Sequence, residues 1–169
     1  MTEEANDRSR FDMQLLADGP IILYFKRHVL EEASEWFGHQ NYEVVTFDCS
    51  TWESQEDFHA DVSQRLRFPS YYGRNLDAFN DCLSEIDRPQ KQGTVLVFLG
   101  FETFTKRFPQ VALHVLDIIA TRSYHFLLGS YKLLALVQSD DPNLSFRPVG
   151  ARPVIWNPRE WLNKNRADS

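Results

Sequence analysis

The stretch Thr94-Val95-Leu96-Val97-Phe98-Leu99, which follows a loop from Pro89 to Gly93, contains no charged residue. In an extended chain its side chains alternate between two sides, and β-branched or aromatic groups fall on both. A strand of that kind is buried on both faces, which predicts a central position in a parallel sheet.

The remaining apolar runs supply companions for it. Residues 21–25, Ile-Ile-Leu-Tyr-Phe after Gly19-Pro20, have strand length and a breaker in front. Between His28 and Phe37, Val29, Ala33, Trp36 and Phe37 recur at helical spacing with Glu31, Glu32 and Glu35 on the other side, and Gly38 is expected to stop that helix. Residues 42–47 are again rich in β-branched and aromatic types. Strand, helix and strand over this length predict a βαβ unit, its two strands paired in parallel through a right-handed crossover.

Ser54 followed by Asp57 forms a capping-box pattern, and Phe58, Val62 and Leu66 make one apolar stripe at four-residue spacing. That helix must end before Phe68-Pro69, because the residue preceding a proline resists the helical region. A further helix is expected from Pro109, with Val111, Ala112, Val115, Leu116, Ile118 and Ile119 apolar nearly all round and therefore covered. Residues 133–137 and 154–156 are strand candidates, and Asp140-Asp141-Pro142-Asn143 is a turn. No repeat or low-complexity linker divides the 169 residues, so one α/β domain is predicted.

Composition narrows the function. Thirteen phenylalanines against seven glycines argue for a packed core, and a net charge of −6 argues against nonspecific nucleic-acid binding, which needs a basic face. A basic protein partner suits this charge better. The opening MTEEANDRSR lacks the apolar core of a secretory signal, and no apolar run approaches the ~20 residues that span a membrane, so a cytoplasmic location without membrane contact is expected. Cys49 and Cys82 form no CxxC pair, and His28, His39, His59, His114 and His125 form no HxxxH or HExxH pattern. No glycine-rich phosphate loop or GxSxG elbow appears, so neither a cofactor, a metal nor catalysis is expected.

The segment FPSYYGRNLDAFNDCLSEI, residues 68–86, joins a broken turn to a helix. Asn75 is a preferred N-cap and Gly73 suits a tight approach. Leu76, Phe79, Leu83 and Ile86 share the side expected to be core, while Asp77, Asp81 and Glu85 follow at four-residue steps with Asn80 and Ser84 beside them. An acid row on an outer helix face is ordinarily a solvated face. Tyr71 and Tyr72 directly before it are rigid amphipathic groups of the kind enriched at interfaces, although at least one ring is expected in the core.

Tyr71-Tyr72-Gly73-Arg74-Asn75-Leu76-Asp77-Ala78-Phe79-Asn80-Asp81-Cys82-Leu83 resembles the signature of the barstar family, intracellular inhibitors of a secreted ribonuclease, with Leu66, Phe68 and Pro69 leading into it in the same way. The resemblance covers residues 42–138, carried beyond about residue 90 by element order. It implies an α/β fold: a barstar-like three-layer arrangement with a small parallel sheet and packed helices, extended by an N-terminal strand-helix unit over 20–40 whose strand is expected at a sheet edge. Residues 1–10 and 158–169 are expected as tails around a single domain, 11–157.

By the same resemblance the turn and helix would plug a nuclease active site, with acids standing in for RNA phosphates. Tyr71 would pack on the catalytic histidine, Asp77 would meet a basic residue, and Asp81 would anchor against phosphate-binding arginines. Gly73, Asn75, Leu76 and Ala78 would shape the loop, and Asn80, Ser84 and Glu85 would complete the contact face. Two positions depart from the family pattern: Asn80 stands where barstar has a tryptophan, and Arg74 where it has an acid. Asp117 is a candidate for the acid that barstar uses on its later helix. The alternative is a barstar-like scaffold binding a basic protein that is not a nuclease.

Overall fold

In the computed structural model, which describes residue 16 and residues 19–161, the predicted strands assemble into one parallel sheet. Its strands are β1 (Ile21–Tyr24), β2 (Tyr42–Asp48), β3 (Gly93–Leu99), β4 (Lys132–Gln138) and β5 (Ile155–Trp156), in the order β2-β3-β4-β1-β5. β3 is an interior strand between β2 and β4, and all but its last residue are buried, as its two apolar faces require.

The alternation of side chains along these strands splits the core in two. Ile22, Tyr24, Val95, Val97, Leu134 and Leu136 face helix α1 (Arg27–His39), which buries Val29, Leu30, Ala33 and Phe37 against them. Leu23, Phe47, Leu96, Phe98, Ala135 and Val137 face the opposite layer. That layer comprises α2 (Gln55–Arg65), α3 (Leu76–Leu83), α4 (Phe101–Arg107) and α5 (Pro109–Leu128). Its centre is aromatic: Trp52 meets Phe58 and Phe104 edge-on, and Phe58 meets Phe79. Edge-to-face pairs of this kind add to simple area burial.

Three expectations about the sheet and its first helix need correction. β1 and β2 are parallel but not paired, since β3 and β4 lie between them. Nor is β1 an edge strand: it pairs with β4 on one side and with two residues of β5 on the other. The reason lies in side chains, because all four residues of β1 are buried, whereas β2 carries Glu43, Thr46 and Asp48 and tolerates the edge. Glu43 blunts that edge further by pairing with Arg67 at 2.8 Å and Arg88 at 3.6 Å. Third, Gly38 does not stop α1 but lies inside it, and Asn41, at φ 65°, makes the left-handed turn into β2.

Other local signals act as expected. Ser54 and Asp57 form the reciprocal capping box of α2, and Pro109 opens α5. α5 is 20 residues long with a mean hydropathy of 1.2, apolar and long enough by composition to cross a membrane, in contrast to the expectation that no run approaches that length. Here Val115, Leu116, Ile118 and Ile119 are buried in the core. The short helix α4 has no counterpart among the predicted elements.

Residues 158–161, expected as the start of a tail, form a helical turn, α6 (Pro158–Trp161). Glu160 is buried there, and its carboxylate accepts from the backbone N–H of Lys26 at 2.9 Å and of Phe25 at 3.2 Å. The expected N-terminal tail, residues 1–10, and residues 162–169 lie outside the described residues.

Candidate functional site

The turn between α2 and α3 is built by three anchors. Tyr72 N–H donates to the Pro69 carbonyl at 3.0 Å and closes the bend. Behind it, the Tyr72 hydroxyl meets His59 Nδ1 of α2 at 2.6 Å, both side chains being buried. Arg74 adopts φ 53°, and its guanidinium reaches back to Glu56 of α2. Gly73 has no positive φ, and a Cβ there would meet Ala78 Cβ and Asn75 Nδ2 at 3.4 Å, an ordinary van der Waals distance, so the tight approach expected at this glycine is not what the fold requires.

Tyr71 and Tyr72 therefore divide their roles. Tyr72 packs against His59 and Phe68 in the core, while Tyr71 remains 79% exposed. At the start of α3, Asn75 Oδ1 accepts from Ala78 N–H at 2.8 Å, the expected N-cap. Phe79, Leu83 and Ile86 are buried, whereas Leu76 and Ala78 are half-buried at the rim.

Asp77 and Asp81 project from the exposed side of α3, and Glu85 follows in the turn just past its end. Among the described residues none of these three carboxylates forms an ion pair. Asp77 lies in the first turn, where the helix dipole favours an anion. Asn80 is half-buried and accepts from Arg122 Nε of α5 at 2.7 Å. Ser84 is half-buried, its hydroxyl donating to the Asp81 carbonyl. Beside this face a groove of about 260 Å³ runs between Tyr71, Phe68, Pro69, Cys82, Glu85 and Ile86.

The ten expected contact residues thus occupy one continuous stretch of turn and helix, and the expected acid of the later helix does not join them in the same free state. Asp117 accepts from Gly150 N–H at 2.8 Å and ties α5 to the 147–150 loop. Sequence reasoning missed the Arg74–Glu56, His59–Tyr72 and Asn80–Arg122 pairs, whose partners lie 18, 13 and 42 positions apart. No local pattern signals such pairings.

The thiols offer no nucleophile here. Burial pushes the Cys49 thiol well above its usual range, and it pushes Cys82 up as well, with Glu85 and Asp81 adding to the effect. Among the described residues, no group of three or more acidic, histidine or cysteine side chains is arranged to hold a metal.

The family model described as Barstar (barnase inhibitor) matches residues 42–131. The Bacillus subtilis (strain 168) protein named "Putative ribonuclease inhibitor YrdF" is 38% identical over 76 residues, which cover 44% of this chain and 79% of that protein. Among solved structures, a chain from "Structure of Drosophila ORC bound to AT-rich DNA and Cdc6" is similar with a TM-score of 0.51 and 12% identity, over 82% of this chain and 47% of that chain. At that identity the likeness concerns the fold alone, and this chain spans about half of the other.

Proposed function

The chain belongs to the barstar family, and on that premise we propose that it inhibits a ribonuclease by filling the enzyme's cationic active site with the Tyr71 turn and the acidic face of α3. The observation that carries this reading is the state of the acids: Asp77 and Asp81 are exposed and, among the described residues, form no ion pair, beside a tyrosine that is itself exposed. A carboxylate already paired with the protein's own arginine would first have to break that pair.

Arg74 is the instructive case. A cation at this point of the turn would oppose a basic cleft, but Glu56 of α2 pairs with it and answers its charge. Both partners are more than half exposed, so the pair adds little stability. Its contribution is to the charge pattern, leaving the acid row as the dominant charge of the face.

Inhibition in this form requires no catalytic group on the inhibitor. Opposite charges steer the encounter, and charge pairs that lose their water at the centre of the interface hold the complex. Asp77, Asp81 and Glu85 supply the anions, Tyr71 a flat aromatic surface, and Gly73, Asn75, Leu76, Ala78, Asn80 and Ser84 the rim.

The test is RNA cleavage by barnase, or by a small basic ribonuclease that co-purifies with the chain, with and without added protein. Wild type is expected to block cleavage, more slowly as ionic strength rises. Asp81→Ala is expected to relieve the block while leaving the thermal transition in place. Full inhibition by the double variant Asp77→Ala, Asp81→Ala would show that the acidic face is not the contact surface.

A further inference from the structure

Arg122 stands out within the same surface. It is half-buried on α5, it donates Nε–H to Asn80 Oδ1, and among the described residues no carboxylate pairs with it. A guanidinium carries five N–H donors in a planar fork, so this single bond leaves most of the fork and the whole charge unanswered. Asn80 lies one turn after Asp77 and next to Asp81, which puts the cation at the border of the acid row.

We infer that Arg122, held in place by Asn80, is a specificity determinant of this surface: it admits a protein partner whose lysines or arginines flank a carboxylate and disfavours one that sets a further cation there. The inference rests on the inhibitory reading above and refines its partner. A partner that brings cations to Asp77 and Asp81 covers Arg122 in the same footprint and strips its water. A carboxylate opposite the fork restores the lost hydrogen bonds in paired geometry, whereas a lysine or arginine leaves two desolvated cations face to face. The plainer role, an arginine that only ties α5 to α3, predicts that changing its charge alters stability but not partner choice.

Barnase serves as the probe, its affinity for the full chain measured by surface plasmon resonance at low and high ionic strength. Arg122→Glu is expected to change the dissociation constant by about tenfold or more, with Arg122→Ala changing it less in the same direction, and the difference shrinking as salt rises. Arg122→Lys keeps the charge and is expected to stay nearer to wild type, and Arg122→Ala covers the case of a Glu variant that fails to fold. Equal binding by wild type, Arg122→Lys, Arg122→Ala and Arg122→Glu, or binding by none of them, overturns the inference. Asp81→Ala separates the two claims: if it weakens binding while the Arg122 series is flat, only Arg122 loses its role, and if it has no effect, the inhibitory reading itself fails.

Discussion

Replacing Tyr72 by phenylalanine removes one oxygen and leaves the ring in place, so the effect isolates the bond to His59. The 2.6 Å contact lies between side chains that are 8% and 4% exposed, where water does not readily replace the missing hydroxyl. Stranding His59 Nδ1 without its partner costs about 1–3 kcal/mol. In a chain of this size each kcal/mol moves the melting temperature by about 2–4 °C, giving a fall of roughly 2–12 °C at pH 7.5.

The same pair sets a pH dependence. Burial holds the His59 imidazole below its ordinary pKa, with the charge of Glu56 opposing and that of Arg74 reinforcing the shift. As pH falls below about 6.5, the unfolded chain takes up a proton that the folded chain still refuses, so stability declines. The contribution is complete above that pH and is lost as pH descends through the lower folded value. Differential scanning fluorimetry from pH 7.5 to pH 5 provides the assay, with His59→Gln as the variant that lacks this titration. Two results refute the reasoning: a Tyr72→Phe melting temperature equal to wild type at pH 7.5, or the same acid-side decline in wild type and His59→Gln.

Two further outcomes follow from contacts elsewhere. Glu160→Ala removes the carboxylate that accepts from Phe25 and Lys26 N–H; a loss of about 1–3 kcal/mol and faster hydrogen exchange at residues 25 and 26 are expected, and unchanged exchange would contradict the docking of α6. Gly93→Ala places a Cβ 2.1 Å from the Lys132 carbonyl oxygen and 2.8 Å from the Tyr42 ring, so urea denaturation is expected to show destabilisation of at least about 1–3 kcal/mol, while wild-type stability would refute the β2-β3-β4 register.

Much of the candidate site is legible along the chain because its parts are local. Asn75 caps α3 through a bond to a residue three positions on, and the spacing of Phe79 and Leu83 against Asp77 and Asp81 settles which side faces water. Tyr71 and Tyr72 show the limit. Adjacent and chemically identical, they end at 79% and 8% exposure because His59, thirteen positions upstream, accommodates only one of the two rings.

By itself, the amino-acid order determined the strands and most of the helices, the capped starts of α2 and α3, the proline that opens α5, and the family to which the turn and acidic helix belong. Those depend on side-chain periodicity and on bonds reaching three or four residues. Only the tertiary structure decided that β1 sits inside the sheet rather than at its edge, that Arg74 leans on Glu56, that Asp117 is tied to Gly150, and that Arg122 comes to rest against Asn80. Each of these is a competition among segments far apart in sequence for one place in space, and no short window of sequence contains both competitors.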